Sequence, residues 1–355
     1  MFNVKKIDNR GNLSYNVSVC GRTERGEGML FRCKNCGGNA VYSPEHGKMF
    51  CPHCDGIDSE NKEVSANKTE CVNCGAPLTI GEFNSTCRCE YCDSYIVLDE
   101  RVEGTYKPDL VLPFKLGMKQ AVAKMKEEFK RRIFTPDSFL SESTLTEMKG
   151  MYVPFWMYDY KAHCDYLGKG TKVRKWTSGD TEYTETSFYR VERNMDVDFD
   201  KIPVDASVEM KDDVMDLVEP FDYGQLEAFQ EKYMSGFYGE IYNLCAEELE
   251  PRARQKAASD ADSLLRESFG GYTTIVAERD DKTLQRDGLH YALLPVWRYI
   301  YKYQDKEYEF YVNGQTGKII GSTPVSQKKV VAYGSTVFAA VWIGLTLLMK
   351  IMEVI

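Results

Sequence analysis

The sequence predicts an α+β protein: two tandem four-cysteine zinc ribbons, a two-lobed body of antiparallel sheets and helices, and one C-terminal transmembrane helix. Three observations carry this. Cysteines pair as C-x2-C four times, at Cys33/Cys36, Cys51/Cys54, Cys71/Cys74 and Cys89/Cys92. The motif P-[FV]-W-x-Y-x-Y-K occurs twice, at residues 154–161 and 295–302. A charge-free apolar run fills residues 330–349.

The cysteine array is the most specific signal. Fourteen residues separate the pairs in each unit (37–50 and 75–88), so the same unit recurs thirty-eight positions on. A two-residue gap lets one tight turn present two sulfurs to one ion, and a fourteen-residue excursion is long enough for a short hairpin that returns the second pair. Gly37, Gly56 and Gly75 follow the pairs, where such turns need a positive φ. The predicted ligands are Cys33, Cys36, Cys51 and Cys54 for one Zn2+, and Cys71, Cys74, Cys89 and Cys92 for a second. Four thiolates close the coordination sphere, so both ions are expected to be structural. A disulfide framework is the rival reading. It needs an oxidising compartment, and residues 1–30 lack the apolar segment of a secretory leader. The other cysteines, Cys20, Cys87, Cys164 and Cys245, are scattered; Cys87 competes with Cys89, but the repeat spacing favours Cys89.

Charge argues against nucleic acid. The 355-residue chain carries 45 basic and 54 acidic side chains, a net charge of −9. Residues 30–100 hold six basic and eleven acidic side chains, and each zinc tetrathiolate adds a charge of about −2. Phosphate would be repelled there. A nucleic-acid-binding zinc ribbon tethered to the membrane is therefore the alternative reading rather than the leading one.

The remaining elements follow in order. Residues 1–30 form an extension, with a turn at Asn9-Arg10-Gly11-Asn12 and a charge-rich stretch at 22–28. Ribbon 1 spans 31–57, a polar linker 58–70, and ribbon 2 71–100; the linker is expected to let the ribbons move independently. The body spans 105–322. Within it, residues 117–132 read as a helix with Met118, Val122, Met125 and Phe129 on one face. Lys130, Arg131 and Arg132 suit its C-terminus. The two W-x-Y-x-Y segments read as strands that open two related lobes, each aromatic stripe pointing to one side by period two. The stripes are either a groove or, preferably, a sheet face packed on helices. Ser178-Gly179-Asp180 reads as a turn into a strand at 183–199. Asp196, Asp198 and Asp200 read as a wet strand face, because a calcium loop would need Gly and Glu where Lys201 and Ser207 stand. Residues 208–270 read as helical, with Pro251 kinking or restarting the run. Residues 308–320 read as strand, Asn-Gly turn, strand.

After a linker at 323–329, residues 330–352 read as a transmembrane helix; the twenty charge-free residues span about 30 Å at about 1.5 Å each. Lys328 and Lys329 precede it, which predicts a single-pass cell-membrane protein with the bulk of the chain cytoplasmic.

No phosphate loop, H-E-x-x-H or G-x-S-x-G is present, and only four histidines occur. His163 and Cys164 are adjacent and so face opposite sides of a strand. No enzyme activity is expected.

With these residues in view, the chain resembles a bacterial family of TFIIB-type zinc ribbon-containing membrane proteins. The resemblance runs from Cys71 to the C-terminus, through Cys71/Cys74/Cys89/Cys92, Leu112-Pro113-Phe114, residues 151–160 and residues 294–301 before the membrane segment. It differs in its extra ribbon and single span. It implies a role beside SPFH (flotillin-like) and PspA-type membrane-stress proteins. The expected function is a membrane-anchored adaptor whose ribbons, projecting on linkers, bind a partner protein through Tyr91, Asn35 and Asn73. Oligomerisation is compatible with this.

Overall fold

The computed structural model describes residues 6–7, 13–14, 27–65, 69–130, 132–140, 148–210 and 212–354. Strands β1 (Lys6–Ile7) and β2 (Leu13–Ser14) pair antiparallel. The turn expected at 9–12, residues 22–26, Cys20 and Arg131 lie outside the described residues.

The cysteine region is built on one small sheet rather than two free units. It contains β3 (Gly28–Cys33), the hairpin of β4 (Val41–Ser43) and β5 (Lys48–Phe50), β6 (Glu60–Ser65), β7 (Thr86–Arg88) and β8 (Tyr95–Leu98). The four-stranded order is β6-β3-β8-β7. The linker expected at 58–70 thus contributes β6, paired with β3 along its length from Gly28↔Ser65 to Cys33↔Glu60. Strand β3, leading into the first cysteine, pairs with β8, which follows the last (Gly28↔Leu98, Met29↔Val97). Independent motion of the two units is therefore corrected: a polar edge strand needs no apolar period to form ladder bonds, so composition concealed it.

The body is one eight-stranded mixed sheet, mostly antiparallel. Its strands are β9 (Leu110–Val111), β10 (Lys149–Ser178), β11 (Thr181–Asp205), β12 (Glu227–Ala228), β13 (Tyr238–Gly239), β14 (Thr274–Tyr303), β15 (Lys306–Asn313) and β16 (Ile319–Gly321), with the main path β11-β10-β14-β15-β16. The two W-x-Y-x-Y segments do not open separate lobes. They lie on β10 and β14, adjacent antiparallel strands whose register includes Tyr152↔Pro295 and Trp156↔Tyr291. The expectation of two lobes fails because cross-strand pairing is non-local and a repeated motif does not specify it.

The period-two reading of the stripes holds. Tyr158, Tyr160, Tyr299 and Tyr301 lie in one core, and Val153, Phe155, Met157, Leu294 and Val296 lie in a second core on the opposite face. Helix α1 (Met118–Lys130) covers the first face with Ala121, Met125 and Phe129, while Met118 is exposed. Helix α2 (Asp212–Val218) brings Met215 and Val218 to the second. The tyrosine stripe is consumed by packing: Tyr158 Oη donates to Ala246 O (2.6 Å), and Trp156 and Trp297 donate Nε1 to Leu244 O (3.0 Å) and Leu116 O (2.9 Å). Amphipathic rings pack in this way when the polar tip finds a carbonyl.

Strands β10 and β14 have 30 residues each, about 100 Å at about 3.3 Å per residue. With β11 they form a long arm, turned at Gly179, whose φ is +60°. Helix α3 (Ala246–Glu267) rides along it, burying Ala253, Ala257, Ala261 and Leu265. Pro251 lies inside this helix, which runs continuously through it, so it does not restart the run. The helical reading of 208–270 is otherwise too broad: residues 219–245 hold short 3-10 turns and β12 and β13. The 306–321 hairpin forms as expected, around buried Asn313, whose Oδ1 accepts from Gln315 N and Thr316 N (2.9 and 2.8 Å).

Helix α4 (Gln327–Val354) starts three residues before the apolar run. Its base is fixed to the body: Ser326 N donates to Phe134 O (2.8 Å), Lys329 Nζ to Thr135 O (2.8 Å), and Tyr333 packs edge-on to Phe134 (5.5 Å). The helix is long and apolar enough to cross a membrane, and none of its apolar stretch is buried against the protein.

Candidate metal centres

Each C-x2-C pair folds into the same small loop. The N–H of the first cysteine donates to a carbonyl five residues on: Cys33 to Gly38, Cys51 to Gly56, Cys71 to Ala76 and Cys89 to Ser94, all within 2.7–2.9 Å. The first cysteine's carbonyl accepts from the residue just after the second cysteine: Gly37, Asp55, Gly75 and Asp93, within 2.8–3.0 Å. These four residues have φ of +74°, +57°, +73° and +58°. The left-handed position is therefore the one following the second cysteine in every loop, filled alternately by Gly and Asp. Gly56, expected to need positive φ, does not; its Cα faces Asn35 closely, so that an added Cβ would lie 2.9 Å from Asn35 Nδ2. Aligning the four loops reveals the Gly/Asp position, since Asp tolerates this conformation better than most residues.

The loops bring the eight predicted sulfurs together as two quartets, Cys33/Cys36/Cys51/Cys54 and Cys71/Cys74/Cys89/Cys92, each with all sulfurs within 4.8 Å of one another. Within them Cys33–Cys54 are 3.6 Å apart, Cys36–Cys51 3.5 Å, Cys71–Cys92 3.5 Å and Cys74–Cys89 3.7 Å. A tetrahedron with metal–sulfur bonds of about 2.3 Å has sulfurs about 3.8 Å apart. A disulfide needs about 2.05 Å, and all eight are free thiols. The donor set thus fits one tetrahedral ion per quartet. Cys87 stays outside the second quartet, buried, and its thiol is pushed up to about 11, first by burial and then by Cys89.

Electrostatics point the same way. Backbone N–H groups of Cys36 and Asn35 pull the Cys33 thiol down to about 7. Burial pushes the Cys71 thiol up to about 12 despite the N–H groups of Cys74 and Asn73. Four thiols in so small a volume cannot all ionise without a cation among them. Metal binding would supply that charge and release protons.

The two quartets are coupled through Arg32. Its Nη1 donates to Asn73 Oδ1 (2.9 Å), between the first cysteines of the second unit, and its guanidinium pairs with Glu63 on β6. Asn73 Nδ2 in turn donates to Ser94 Oγ (3.0 Å). Asn73, expected to be free for recognition, is therefore committed internally. Asn35 accepts from Ser59 Oγ, and Tyr91 is 73% exposed. His53 lies exposed between Cys51 and Cys54, and His46 stacks on Phe50.

The cysteine region is also docked on the body. Tyr42 N donates to Ser235 O, Ser85 N to Gly239 O, and Thr86 Oγ1 to Phe237 O, at 2.8, 2.8 and 2.9 Å. Met29, Phe31, Tyr42, Met49 and Val97 join the same core as the tyrosine stripe. The expectation that the cysteine units project on linkers is thereby corrected. In the arm, His163 faces out to Asp196 while Cys164 is buried on the other side, as strand alternation requires.

A protein of Bacillus subtilis (strain 168), "Uncharacterized protein YdjG", is 35% identical over 337 residues, covering 91% of this chain and 98% of its own. No family model matches the chain. No solved structure matches it.

Proposed function

This chain belongs to the family of Bacillus subtilis YdjG, and on that premise we propose that it is a membrane-anchored zinc-ribbon adaptor. Both quartets would hold Zn2+ in a structural role, since all-thiolate tetrahedral sites favour zinc and leave no open position for substrate. Helix α4 would cross the membrane once, with the cysteine units and body on the cytoplasmic side behind Lys328 and Lys329.

The observation that carries the reading is the presence of two four-cysteine clusters and an exposed apolar helix in one chain. The helix leaves Val331, Phe338, Trp342 and Leu347 more than half exposed, a cost in water that a bilayer removes. The resemblance of the ribbon and body makes SPFH-type and PspA-type membrane-stress proteins the candidate partners. The acidic balance of the cysteine region favours this over nucleic acid.

Affinity purification from detergent-solubilised membranes, followed by mass spectrometry, tests it. The parent chain should retain a specific membrane-associated partner, and Cys74→Ser should lose that partner while still sedimenting with membranes. An unchanged partner set in Cys74→Ser would count against the adaptor reading.

A further inference from the structure

An open cleft of about 780 Å3 lies where the second cysteine unit meets the body. Its lining includes residues 297–302, six successive positions of β14 that form one wall, together with Arg88 and Tyr95 of the cysteine unit. A smaller hollow of about 310 Å3 adjoins it and shares Arg88, Lys149 and Tyr238. The wall is about 17 Å long at about 3.3 Å per residue. That length suits an extended stretch of polypeptide.

The charge of the lining departs from that of the chain. In a protein of net charge −9, the cleft itself is lined by Arg88, Lys149, Arg298 and Lys302 against one carboxylate, Glu307, while the adjoining hollow adds Glu90 and Asp93. Three of these cations are balanced: Arg88 by Asp93 (3.0 Å), Arg298 by Glu309 (2.6 Å) and Lys302 by Glu307 (2.9 Å). Lys149 meets no carboxylate among the described residues; its ammonium sits 5.4 Å from the Tyr238 ring centroid. Tyr238 packs edge-on to Tyr95 (6.1 Å), and Arg88 lies over the Tyr95 ring (5.9 Å). A surplus positive charge therefore stands on an aromatic shelf, where a carboxylate with an apolar neighbour would find both partners.

We propose that this cleft is a docking site for an extended segment of a partner protein that presents an acidic side chain beside an aromatic or aliphatic one. The site extends the adaptor reading: it is built jointly by the second cysteine unit and the body, so the unit's fold is required to form it. A direct peptide-binding assay tests it apart from partner capture.

The probe is the peptide acetyl-Ala-Glu-Phe-Glu-Ala-amide, titrated into the zinc-loaded full chain in neutral detergent and followed by calorimetry. Saturable binding is expected, weakened at least tenfold by Lys149→Glu and by replacing both glutamates of the peptide with glutamine. Lys149 is exposed, so the change spares the core; Lys175→Glu, at the arm tip, serves as the charge-matched control and should leave binding unchanged. No saturable binding, or equal weakening by both lysine variants, overturns the proposal. So does binding of glycerol phosphate at the Lys149 site without binding of the peptide, which would assign the cleft to a phosphate headgroup.

Discussion

Arg32, one residue before the first cysteine of the first unit, donates to Asn73, between the first two cysteines of the second, at 2.9 Å. With the β3–β8 pairing, this contact ties the two four-cysteine clusters to each other rather than leaving them as beads on a string. Losing one metal should therefore loosen the other. In Cys36→Ser, chelator-driven metal release from the second quartet, followed with a chromogenic zinc indicator, should speed up several-fold. Arg32→Ala should do the same more weakly, since a partly exposed contact contributes on the order of 1 kcal/mol or less. Release rates from the second quartet that ignore both changes would mean that the units are independent.

The left-handed positions give a sharper test. Asp55 has φ +57°, so Asp55→Gly should leave metal retention unchanged or slightly improved. Asp55→Val should cost about 1–2 kcal/mol, because a β-branched residue tolerates that conformation poorly. The readout is the chelator concentration at which half the metal is lost.

These positions also show what the sequence could and could not reveal. The knuckles were legible because C-x2-C geometry is local, and the Gly/Asp position becomes visible once the four loops are aligned. The apolar helix was legible from length alone. Strand β6 was not, because Glu60, Asn61, Lys62 and Glu63 give no apolar alternation; ladder bonds to β3 hold it. The placement of the two W-x-Y-x-Y segments side by side was equally hidden, because Trp156 and Tyr291 are partners across 135 positions. Residues 219–245 carry apolar spacing such as Ile241 and Leu244 that mimics a helix, yet they are pinned as an irregular run by bonds to Ala206, Tyr152 and Phe83.

Glu240 gives a pH dependence. It is 5% exposed, and burial pushes its carboxyl up to about 7 despite a hydrogen bond from Ser207 Oγ (2.9 Å). The folded chain then keeps a proton that the unfolded chain releases above its ordinary value of 4.5. Stability from this group falls as pH rises from about 4.5 to about 7, and the penalty is complete above that. Glu240→Gln should match the parent near pH 4.5 and exceed it by up to about 3 kcal/mol at pH 8. Thermal unfolding of both chains in detergent at the two pH values checks the sign; a Gln variant that is less stable at pH 8 refutes it.

The proposed orientation, with the body on the cytoplasmic side, rests on Lys328 and Lys329 at the base of α4. Alkaline phosphatase fused after Ile355 should be active in a bacterial host, and β-galactosidase at the same point should not. The reverse pattern would place the C-terminus in the cytoplasm and contradict the proposed orientation.

Metal content bears most directly on the whole account. Elemental analysis of the purified, reduced full chain, with thiol counting under denaturing conditions, should give two equivalents of zinc per chain and no disulfide. Well under two equivalents, or oxidised cysteine pairs within the quartets, would contradict the claim that sulfur-bound metal holds this region in its fold.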